Sequence, residues 1–430
     1  MERITFVILF FVAMTAKDIE IMAPVGSYEM LRAAIQGGAN SVYFGIAQLN
    51  MRSKSSKNFT LEDLKEIASI CREQNIRTYI TLNTIIYDHE IEQMKSIVDA
   101  AKAEGITAII ASDFSVIQYA HSVGMEIHVS TQSNVTNIEA VKFYAQFADV
   151  MVTARELNLD QVKAITQAIE QQQIKGPSGN LIQIEIFVHG ALCMAVSGKC
   201  YISLDTLNSS ANRGACLQPC RRPYKVTDKD GGVEMEVDNE YIMSPEDLRT
   251  IEFLDKILDA GVRVLKVEGR GRSPEYVKNV AKVYREAVDS YFDNSYSTER
   301  IEEWKHRLSE VYNRGFWGGY YLGKKIGEWT KVYGSQATTR KVYIGKITNY
   351  FSKLGVAEVL IESHNLKIGE KYYIQGPTTG VYEDEVSEIR FDLNPVEEAL
   401  KGDLISIPVK ETVRRNDKLY KIVDANSPML

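Results

Sequence analysis

The sequence predicts an α/β protein: a (β/α)8, TIM-like barrel with a cysteine-rich insertion after strand seven, followed by a small C-terminal all-β barrel. Three observations predict this fold. Eight short apolar segments alternate with helix-forming segments over residues 17–295. No G-x-G-x-x-G motif follows the first segment, and the number of segments favours a closed barrel over a doubly wound open sheet. Beyond residue 340, strands separated by Gly, Pro and Asn turns replace the helical segments.

The barrel strands are predicted from short apolar runs that end at polar residues. In chain order they cover residues 19–23, 41–45, 78–83, 108–112, 126–131, 149–154, 181–188 and 264–268. The polar residues at or just after their ends are Asn83, Ser112, Asp113, Thr131, Gln132, Arg155, Glu156, His189, Glu268 and Arg270. Active sites of such barrels lie at the carboxyl ends of the strands, so we expect the functional groups among these residues.

The helices are predicted from capping signals and from 3.6-residue periodicity. They cover residues 28–37 after a cap at Ser27, residues 60–74 with a capping box formed by Thr60 and Asp63, and residues 89–105. Two further helices are expected directly after the cap signals at residues 244–247 and 273–275. A glycine-containing hairpin is expected at residues 224–237.

The predicted domain organisation has four parts. Residues 1–16 form an apolar N-terminal extension, residues 17–295 the catalytic barrel, residues 296–340 a helical and then Gly- and aromatic-rich linker packed across it, and residues 341–425 the small β-barrel. The apolar run at residues 4–13 is too short to span a bilayer. We interpret it as an over-extended start before Met14, and therefore expect a cytoplasmic protein without stable membrane association. The alternative is an exported protein with a true signal segment.

Composition restricts the class of protein further. A net charge of −7 over 430 residues argues against a simple polyanion-coating protein, so a nucleic-acid contact would need a local basic patch. Five cysteines are too few for a secreted disulfide framework of this length. One of them, Cys71, lies in a helical segment and is predicted to be a buried core thiol.

The other four cysteines lie in one segment, residues 185–224, with the spacing C-x6-C-x15-C-x3-C: they are Cys193, Cys200, Cys216 and Cys220. Small and polar residues fill the intervals, so the segment has too little apolar content to pack by itself, and thiolates around a metal would hold it together. Zinc ligands usually come as two C-x2-4-C pairs, and the first pair here is wider than that. A cubane iron–sulfur cluster also takes four thiolates. Spacing alone leaves cluster, zinc and free redox thiols open.

Cationic side chains surround this segment and the predicted barrel mouth: Lys199, Arg213, Arg221, Arg222 and Lys225 near the thiols, and Arg155, Lys266, Arg270 and Arg272 at the strand ends. Such groups offset thiolate charge or bind phosphate and carboxylate groups, although a basic run can also be a solvated loop. We take Arg155, His189, Lys266 and Glu268 as candidate catalytic residues. His189 would move a proton or merely orient the loop, and by strand alternation it shares a face with Glu185. No serine nucleophile elbow, H-E-x-x-H or P-loop motif is present.

Several motifs resemble one known family. They are Glu185-Ile-Phe-Val-His-Gly-Ala-Leu-Cys193, Ser197-Gly-Lys-Cys200-Tyr-Ile-Ser203, Asn212-Arg-Gly-Ala-Cys216, Cys220-Arg-Arg-Pro-Tyr224 and Leu265-Lys-Val-Glu-Gly-Arg270, together with Ala23-Pro-Val-Gly-Ser27 and Gly38-Ala-Asn-Ser-Val-Tyr-Phe-Gly45. The chain resembles the collagenase-like "unassigned" peptidase family from about Asp18 to Val423. The resemblance implies a barrel fold of the kind predicted above.

The family name implies proteolysis, but its better-understood members resemble oxygen-independent hydroxylases with a four-iron, four-sulfur cluster. One branch makes 5-hydroxyuridine at the wobble position of tRNA with prephenate as oxygen donor, another acts on ribosomal RNA cytidine, and a third on a ubiquinone precursor. One barrel followed by one small β-domain is most similar to the tRNA branch. The resemblance thus implies Cys193, Cys200, Cys216 and Cys220 as cluster ligands, tRNA and prephenate as substrates, an RNA-docking role for the β-domain, and iron–sulfur assembly proteins as partners. It assigns no role to Arg155, His189 or Lys266.

Three functions follow as expectations. The first is a cluster-dependent tRNA hydroxylase. The second is a peptidase, which would need a nucleophile with a base or an open metal site. The third is a non-catalytic RNA-binding or assembly factor with a structural metal.

Overall fold

The computed structural model describes residues 14–46, 49–53, 58–225, 241–323 and 327–428. The apolar run at residues 4–13 lies outside the described residues, as does the predicted hairpin from residue 226 onward. No helix within the described ranges is both long and apolar enough to cross a lipid bilayer.

A closed parallel barrel forms the first part of the chain. The strands of its sheet are β1 Glu20–Pro24, β2 Ser41–Phe44, β3 Arg77–Leu82, β4 Ala108–Ala111, β5 Glu126–Val129, β6 Val150–Val152, β7 Gln183–Gly190, β8 Asp247–Arg249, β9 Val264–Val267 and β10 Phe316–Trp317. Strands β1 to β7 pair in sequence order, and β9 pairs in parallel with both β7 and β1. Eight parallel strands therefore close on themselves, which confirms the predicted fold class.

Ten helices accompany these strands in the described residues: α1 Tyr28–Gln36, α2 Leu64–Glu73, α3 Ile91–Ala103, α4 Phe114–Ser122, α5 Ile138–Tyr144, α6 Leu159–Gln171, α7 Ile202–Leu207, α8 Leu254–Asp259, α9 Pro274–Phe292 and α10 Thr298–Glu310. The cap predicted at Ser27 is present, because its side chain accepts a hydrogen bond from the Met30 amide. Helix α2 begins later than expected, because Thr60 and Asp63 bond to each other in the turn before it.

The prediction of a helix directly after residues 244–247 is wrong. Residues Asp247–Arg249 instead form β8, which pairs antiparallel with the end of β7 and parallel with β10. The Asp247 carboxylate does not cap a helix, since it pairs with Arg272 at 3.0 Å and with Arg314 at 3.3 Å. Helix α8 begins only at Leu254.

The barrel has two apolar layers. The larger lies between the strands and the surrounding helices. A separate cluster of buried side chains comes from the other strand faces and consists of Met22, Tyr43, Tyr79, Ala108, Ile110, Val150 and Val264. Successive side chains of a strand face opposite sides, so this cluster fills the barrel interior, and Lys266 lies on the same face of β9 as Val264.

Residues between α10 and the all-β region pack onto this barrel. Trp304 and Leu308 of α10 are buried in the same core as the helices around the strands, as are Trp317 and Tyr321. The Tyr321 hydroxyl donates to the Phe187 carbonyl at 2.8 Å. This segment therefore covers part of the barrel wall next to β7.

The C-terminal part is an antiparallel all-β region, as predicted. Its strands are β11 Thr339–Phe351, β12 Val356–Ile361, β13 Asn365–Lys367, β14 Lys371–Gly376, β15 Gly380–Glu385, β16 Ile389–Phe391, β17 Asn394–Val396, β18 Glu398–Leu400, β19 Leu404–Pro408 and β20 Lys418–Asp424. The main sheet has the order β15-β14-β20-β11-β12-β19-β16-β17, and β13 pairs with β18.

Polar contacts fasten the all-β region to two barrel helices. Gln36 of α1 bonds to the Thr379 carbonyl and to the Val381 amide. On α9, the Glu275 carboxylate accepts from Lys341 and Gln375, both at 2.9 Å. The all-β region thus has a defined position against the wall formed by α1 and α9.

Gly190 at the end of β7 occupies a crowded left-handed position. Its φ is +101°, and a Cβ there would lie 2.3 Å from the Glu268 carbonyl oxygen. We expect Gly190→Ala to lower the free energy of unfolding by at least about 2 kcal/mol, measured by denaturant unfolding. Gly179 is the matched control, because its φ is +81° and a Cβ added there would have nothing within 4 Å. Gly179→Ala should cost only about 1 kcal/mol, and equal effects would contradict the importance of the contact.

Candidate active site

One cavity of about 650 Å³ lies at the carboxyl ends of the barrel strands, under the cysteine segment. Its walls include Tyr43, Arg52, Thr81, Asn83, Ser130, Thr131, Gln132, Arg155, Phe187, Lys266, Glu268, Arg270 and Arg272 from the barrel, and Cys193, Cys200, Cys216, Cys220 and Arg221 from the insertion. All four predicted cysteine ligands, Arg155, Lys266 and Glu268 are therefore brought together in one place.

Local hydrogen bonds shape the cysteine segment. Ser203 of α7 accepts from the Leu217 amide at 3.0 Å, and Ser209 donates to the Ala215 carbonyl at 2.6 Å. Arg221 donates to the Leu192 carbonyl at 2.6 Å. These bonds link the beginning, middle and end of the segment, so that its four thiols face one cavity.

A second set of contacts attaches the segment to neighbouring barrel loops. The Ile85 amide donates to the Asn212 carbonyl at 3.2 Å, and Arg213 forms an ion pair with Glu90 beneath the ring of Tyr87. Arg213 is therefore a structural clamp and does not line the cavity. Lys199 and Arg222 do not line it either, whereas Arg221 does.

The four thiols that line the cavity form no disulfide bonds, and they interact electrostatically. Cys193 is exposed, and the other three are half-buried. Burial raises the pKa of the Cys220 thiol against the opposing charge of Arg221, and the thiolate charges of Cys193, Cys216 and Cys200 raise it further. Four soft donors close enough to influence one another are the ligand set that zinc and iron–sulfur clusters use.

Two metal groups are candidates for these thiols. A single zinc ion would draw four sulfur atoms to about 4 Å from one another, given Zn–S distances of about 2.3 Å. A cubane cluster takes one thiolate at each of four irons. In number and chemistry, the four cysteines fit either group.

Glu268 lies at the centre of a group of guanidinium ions. Its carboxylate accepts from Arg52 at 3.0 Å and from the Tyr43 hydroxyl at 3.1 Å. Burial acts to raise the pKa of Glu268, but the charges of Arg52, Arg155 and Arg270 outweigh it and lower the pKa to about 2. Glu268 is therefore a fixed anion that positions arginines, and the structure gives it no proton to donate at neutral pH.

Arg155 has a free hydrogen-bonding position. It donates through Nη1 to the Ala191 carbonyl at 3.0 Å, and its guanidinium carbon lies 3.8 Å from the centre of the Phe187 ring. Its buried Nε has no hydrogen-bond partner in the described part of the chain. A buried donor without a partner is costly, so an oxygen-bearing ligand would be stabilised beside it.

The cavity carries a large excess of positive charge. Among the described residues its cationic lining side chains are Arg52, Arg155, Arg221, Lys266, Arg270, Arg272 and Arg314, and Glu268 is the lining carboxylate. Lys266 is also paired with Glu185, and Arg272 and Arg314 are paired with Asp247, so these two buried carboxylates offset part of the charge. Arg270 donates to Thr81 at 2.9 Å, and burial lowers its pKa to about 10, which leaves it charged at neutral pH. The arrangement favours an anionic ligand with more than one negative group.

Lys266 reaches the cavity but is paired on its inner side. Its ammonium group lies 2.6 Å from Glu185 and 4.8 Å from the centre of the Tyr43 ring. Glu185 is fully buried inside the barrel and also contacts His128. Lys266 was a predicted site residue, but Glu185 and His128 were not; Glu185 was expected only to share a strand face with His189.

The structure corrects the expectation for His189. It does not line the cavity, because a register shift between Phe187 and His189 turns its side chain to the opposite face from Glu185. There it packs against the rings of Tyr276, Tyr284 and Phe316, with ring centres 5.6 to 5.9 Å away. The side chain anchors the end of β7 to α9 and β10, and is not placed to move a proton in the cavity.

His189 leads to a pH-dependent prediction. Burial lowers its pKa to about 3, and the charges of Arg249 and Arg272 act in the same direction. Unfolded histidine titrates near 6.5, so between about pH 6.5 and 3 the unfolded chain binds the extra proton and stability falls as the pH is lowered. In His189→Phe the free energy of unfolding should fall less steeply as the pH is lowered through that window, by up to about 1.4 kcal/mol per pH unit. Denaturant unfolding at several pH values measures this slope. A slope in His189→Phe equal to that of the wild type would show that the buried His189 is not the group responsible.

The remaining strand-end residues divide into two groups. Asn83, Thr131 and Gln132 line the cavity as expected. Asp113 instead caps α4 through a hydrogen bond from the Ser115 amide. Sequence reasoning missed Arg52, which follows β2 by eight residues and has no local signal, and Tyr43, whose hydroxyl reaches the cavity from inside the barrel.

Fold and site together define a class: a parallel (β/α)8 barrel whose cavity, at the end where barrel enzymes carry out their chemistry, is lined by thiols and guanidinium groups. Residues 26–331 match the sequence model of peptidase family U32, and the chain belongs to this family.

Relatives with different names share this family. A protein of Porphyromonas gingivalis named collagenase is 58% identical over 95% of this chain and 99% of its own length. A tRNA hydroxylation protein of Bacillus subtilis is 30% identical over 78% of both chains. A 23S rRNA 5-hydroxycytidine synthase of Escherichia coli is 33% identical over 73% of this chain and 49% of its own. By their names, relatives of this chain are enzymes that act either as proteases or as RNA hydroxylases.

Proposed function

We propose that the chain is an oxygen-independent tRNA hydroxylase that forms 5-hydroxyuridine at the wobble position, with prephenate as the oxygen donor. One observation carries the proposal: four thiols and seven cationic side chains line the same cavity at the carboxyl end of the barrel. The relatives named for tRNA and rRNA hydroxylation support the substrate class.

The cysteines would hold a four-iron, four-sulfur cluster in this scheme. Cys193, Cys200, Cys216 and Cys220 are the four ligands that the cavity offers. When bound, the cluster would supply electron transfer beside the substrates. Its delivery would require iron–sulfur assembly proteins, which with the RNA substrate favours a cytoplasmic location.

The guanidinium groups would bind and orient the donor. Prephenate carries two carboxylates, and arginine forks bind carboxylates through paired hydrogen bonds. Arg155 lines the cavity and would contribute its guanidinium group, while Glu268 keeps Arg52 oriented toward the cavity. The clamped cysteine segment would exclude water, which strengthens each of these charge interactions.

The RNA would approach from outside the cysteine segment. A base can enter the cavity only after it has been turned out of its stack, since the reacting carbon must come to the strand ends. The overall charge of −7 means that the local cations at the mouth, and not the whole surface, would attract the phosphates. The all-β region, fixed against α1 and α9, would hold the rest of the tRNA.

Nucleoside analysis of tRNA tests this function. In a strain lacking the gene, 5-hydroxyuridine and nucleosides derived from it should disappear from total tRNA, and wild-type protein should restore them while Cys216→Ala should not. Unchanged tRNA nucleosides would contradict the proposal. The same comparison of 5-hydroxycytidine in ribosomal RNA and of ubiquinone content would identify the two alternative hydroxylation substrates.

A peptidase is the second candidate, because the 58% identical relative is named collagenase. A cysteine peptidase needs an imidazole or similar base beside its thiol. All six histidines lie in the described residues, and none of them lines the cavity. Purified protein, with and without metal, can be assayed on gelatin; cleavage lost in Cys193→Ala would favour this candidate over the hydroxylase.

A further inference from the structure

A row of ionisable side chains crosses the interior of the barrel. The Lys266 ammonium lies 2.6 Å from Glu185 Oε1, Glu185 Oε2 lies 3.4 Å from His128 Nδ1, and His128 Nε2 lies 3.3 Å from Glu126 Oε1. The first three side chains are at most 5% exposed, whereas Glu126 is 29% exposed. We call these four residues the inner row.

The two ends of the inner row open in different places. Lys266 lines the cavity beneath the cysteines. Glu126 pairs with Arg77, which also pairs with Glu20 at 3.2 Å, and both Arg77 and Glu20 line a second cavity of about 620 Å³ at the amino ends of the strands. The inner row therefore connects the site at one end of the barrel with solvent at the other.

The charges along the row balance only with a proton on His128. Two carboxylates contact the imidazole, Glu126 on β5 and Glu185 on β7, and the charge of Glu20 on β1 also acts on it. The nearby cations are Lys266 on β9 and Arg77 on β3. The neutral ring of Tyr79 packs 4.4 Å away. Burial acts to lower the pKa of His128, but its bonds with Glu126 and Glu185 outweigh burial and raise the pKa.

A purely structural purpose explains this row poorly. The interiors of such barrels are normally filled by branched apolar side chains, and a buried set of ions is often no more stable than an apolar replacement. Each member, however, is a group that can both hold and release a proton, and each lies next to the following one. Hydroxylation of a base and conversion of the donor both develop charge in the cavity, where a proton source is useful.

We propose that the inner row supplies protons to the cavity, with Lys266 as the donor at its end. The nature of the acceptor rests on the proposed function; the path itself does not. In one cycle the Lys266 ammonium gives a proton to an anion formed on the bound substrate. Glu185 passes a proton from the His128 imidazolium to the resulting amine, and His128 regains one from solvent through Glu126. No electrons move, and one proton crosses from the amino end of the barrel to the cavity.

The first test needs neither cofactor nor substrate. In metal-free protein labelled with ¹³C-histidine, the His128 resonance, identified by its loss in His128→Gln, should titrate above the ordinary histidine value of 6.5. Glu185→Gln should move the midpoint to lower pH, and Glu302→Gln, an exposed carboxylate on α10, should not. A His128 midpoint at or below 6.5 in the wild type, or a midpoint that does not respond to Glu185→Gln, would overturn the path.

The second test separates proton donation from positioning. Lys266→Arg keeps the positive charge but cannot release its proton at any working pH. We expect kcat for tRNA hydroxylation to fall at least about 100-fold, with KM for both substrates changed less than about threefold. Lys142→Arg, at a surface lysine of α5 paired with Glu139, is the control. If Lys266→Arg keeps half of the wild-type kcat, or if the variant changes KM instead of kcat, Lys266 only positions Glu185. If the wild-type protein is inactive on tRNA, the proposed function is wrong, and the His128 titration alone tests the path.

Discussion

Alanine at Cys193, Cys200, Cys216 or Cys220 should reduce the iron bound after anaerobic reconstitution from about four atoms per chain to less than about one. The four thiols all line one cavity, so no other cysteine can replace a missing ligand. Hydroxylation should fall below about 1% of wild type, because the variant loses the group that supplies the redox chemistry. Iron and sulfide analysis together with the visible absorption spectrum measure the loss.

Cys71→Ala is the matched control for this series. Cys71 is fully buried in α2, away from the cavity, and burial raises its pKa to about 12, so it is a poor ligand. Its alanine variant should bind iron as the wild type does, with only a modest loss of stability. Protein that binds one zinc and no iron, or a cavity variant that keeps its full iron content, would contradict the proposed ligand set.

Arg155→Met should raise KM for the oxygen donor about 100-fold. The variant keeps most of the side chain's packing on Phe187 but loses the guanidinium group that lines the cavity, whose buried Nε has no hydrogen-bond partner in the described part of the chain. A charged hydrogen bond to a carboxylate contributes about 1.5–3 kcal/mol, which corresponds to a change in affinity of roughly 10- to 150-fold. Steady-state kinetics at varied prephenate concentration measure this change.

Arg213→Met provides the comparison for the Arg155 variant. Arg213 also stacks on an aromatic ring, that of Tyr87, and its cationic head pairs with Glu90 outside the cavity. Its loss should loosen the cysteine segment and lower thermal stability while leaving KM for the donor within about threefold. If both variants raise KM equally, the effect comes from the cysteine segment as a whole and not from recognition of the donor by Arg155.

The fold was predictable because its signals are local. Each barrel strand is a short apolar run that ends at a polar residue, and caps such as Ser27 mark where a helix begins. Strand β8 has only three residues and is defined by partners on β7 and β10, so no local pattern indicates it. The cap signal at residues 244–247 was misleading because Asp247 forms ion pairs with Arg272 and Arg314 instead of capping a helix.

The site was predictable in its strand-end residues and less so in its interior. Arg155, Lys266 and Glu268 follow from the rule that barrel enzymes work at the carboxyl ends of strands. His189 obeys the same rule, but a register shift that no sequence pattern reveals turns it away. Arg52 comes from a loop whose path depends on tertiary contacts. Glu185 and His128 did carry a signal, since charged and titratable residues inside apolar strand segments need buried partners.

The most direct test of the account is hydroxylation by the purified protein. Anaerobically reconstituted protein would be incubated with tRNA from the deletion strain and prephenate, and the digested RNA analysed by mass spectrometry. One oxygen atom should be added to the wobble uridine, the product should require prephenate, and Cys216→Ala should form none. Reconstituted protein that leaves the tRNA unchanged while cleaving gelatin would contradict it and would identify the chain as a peptidase.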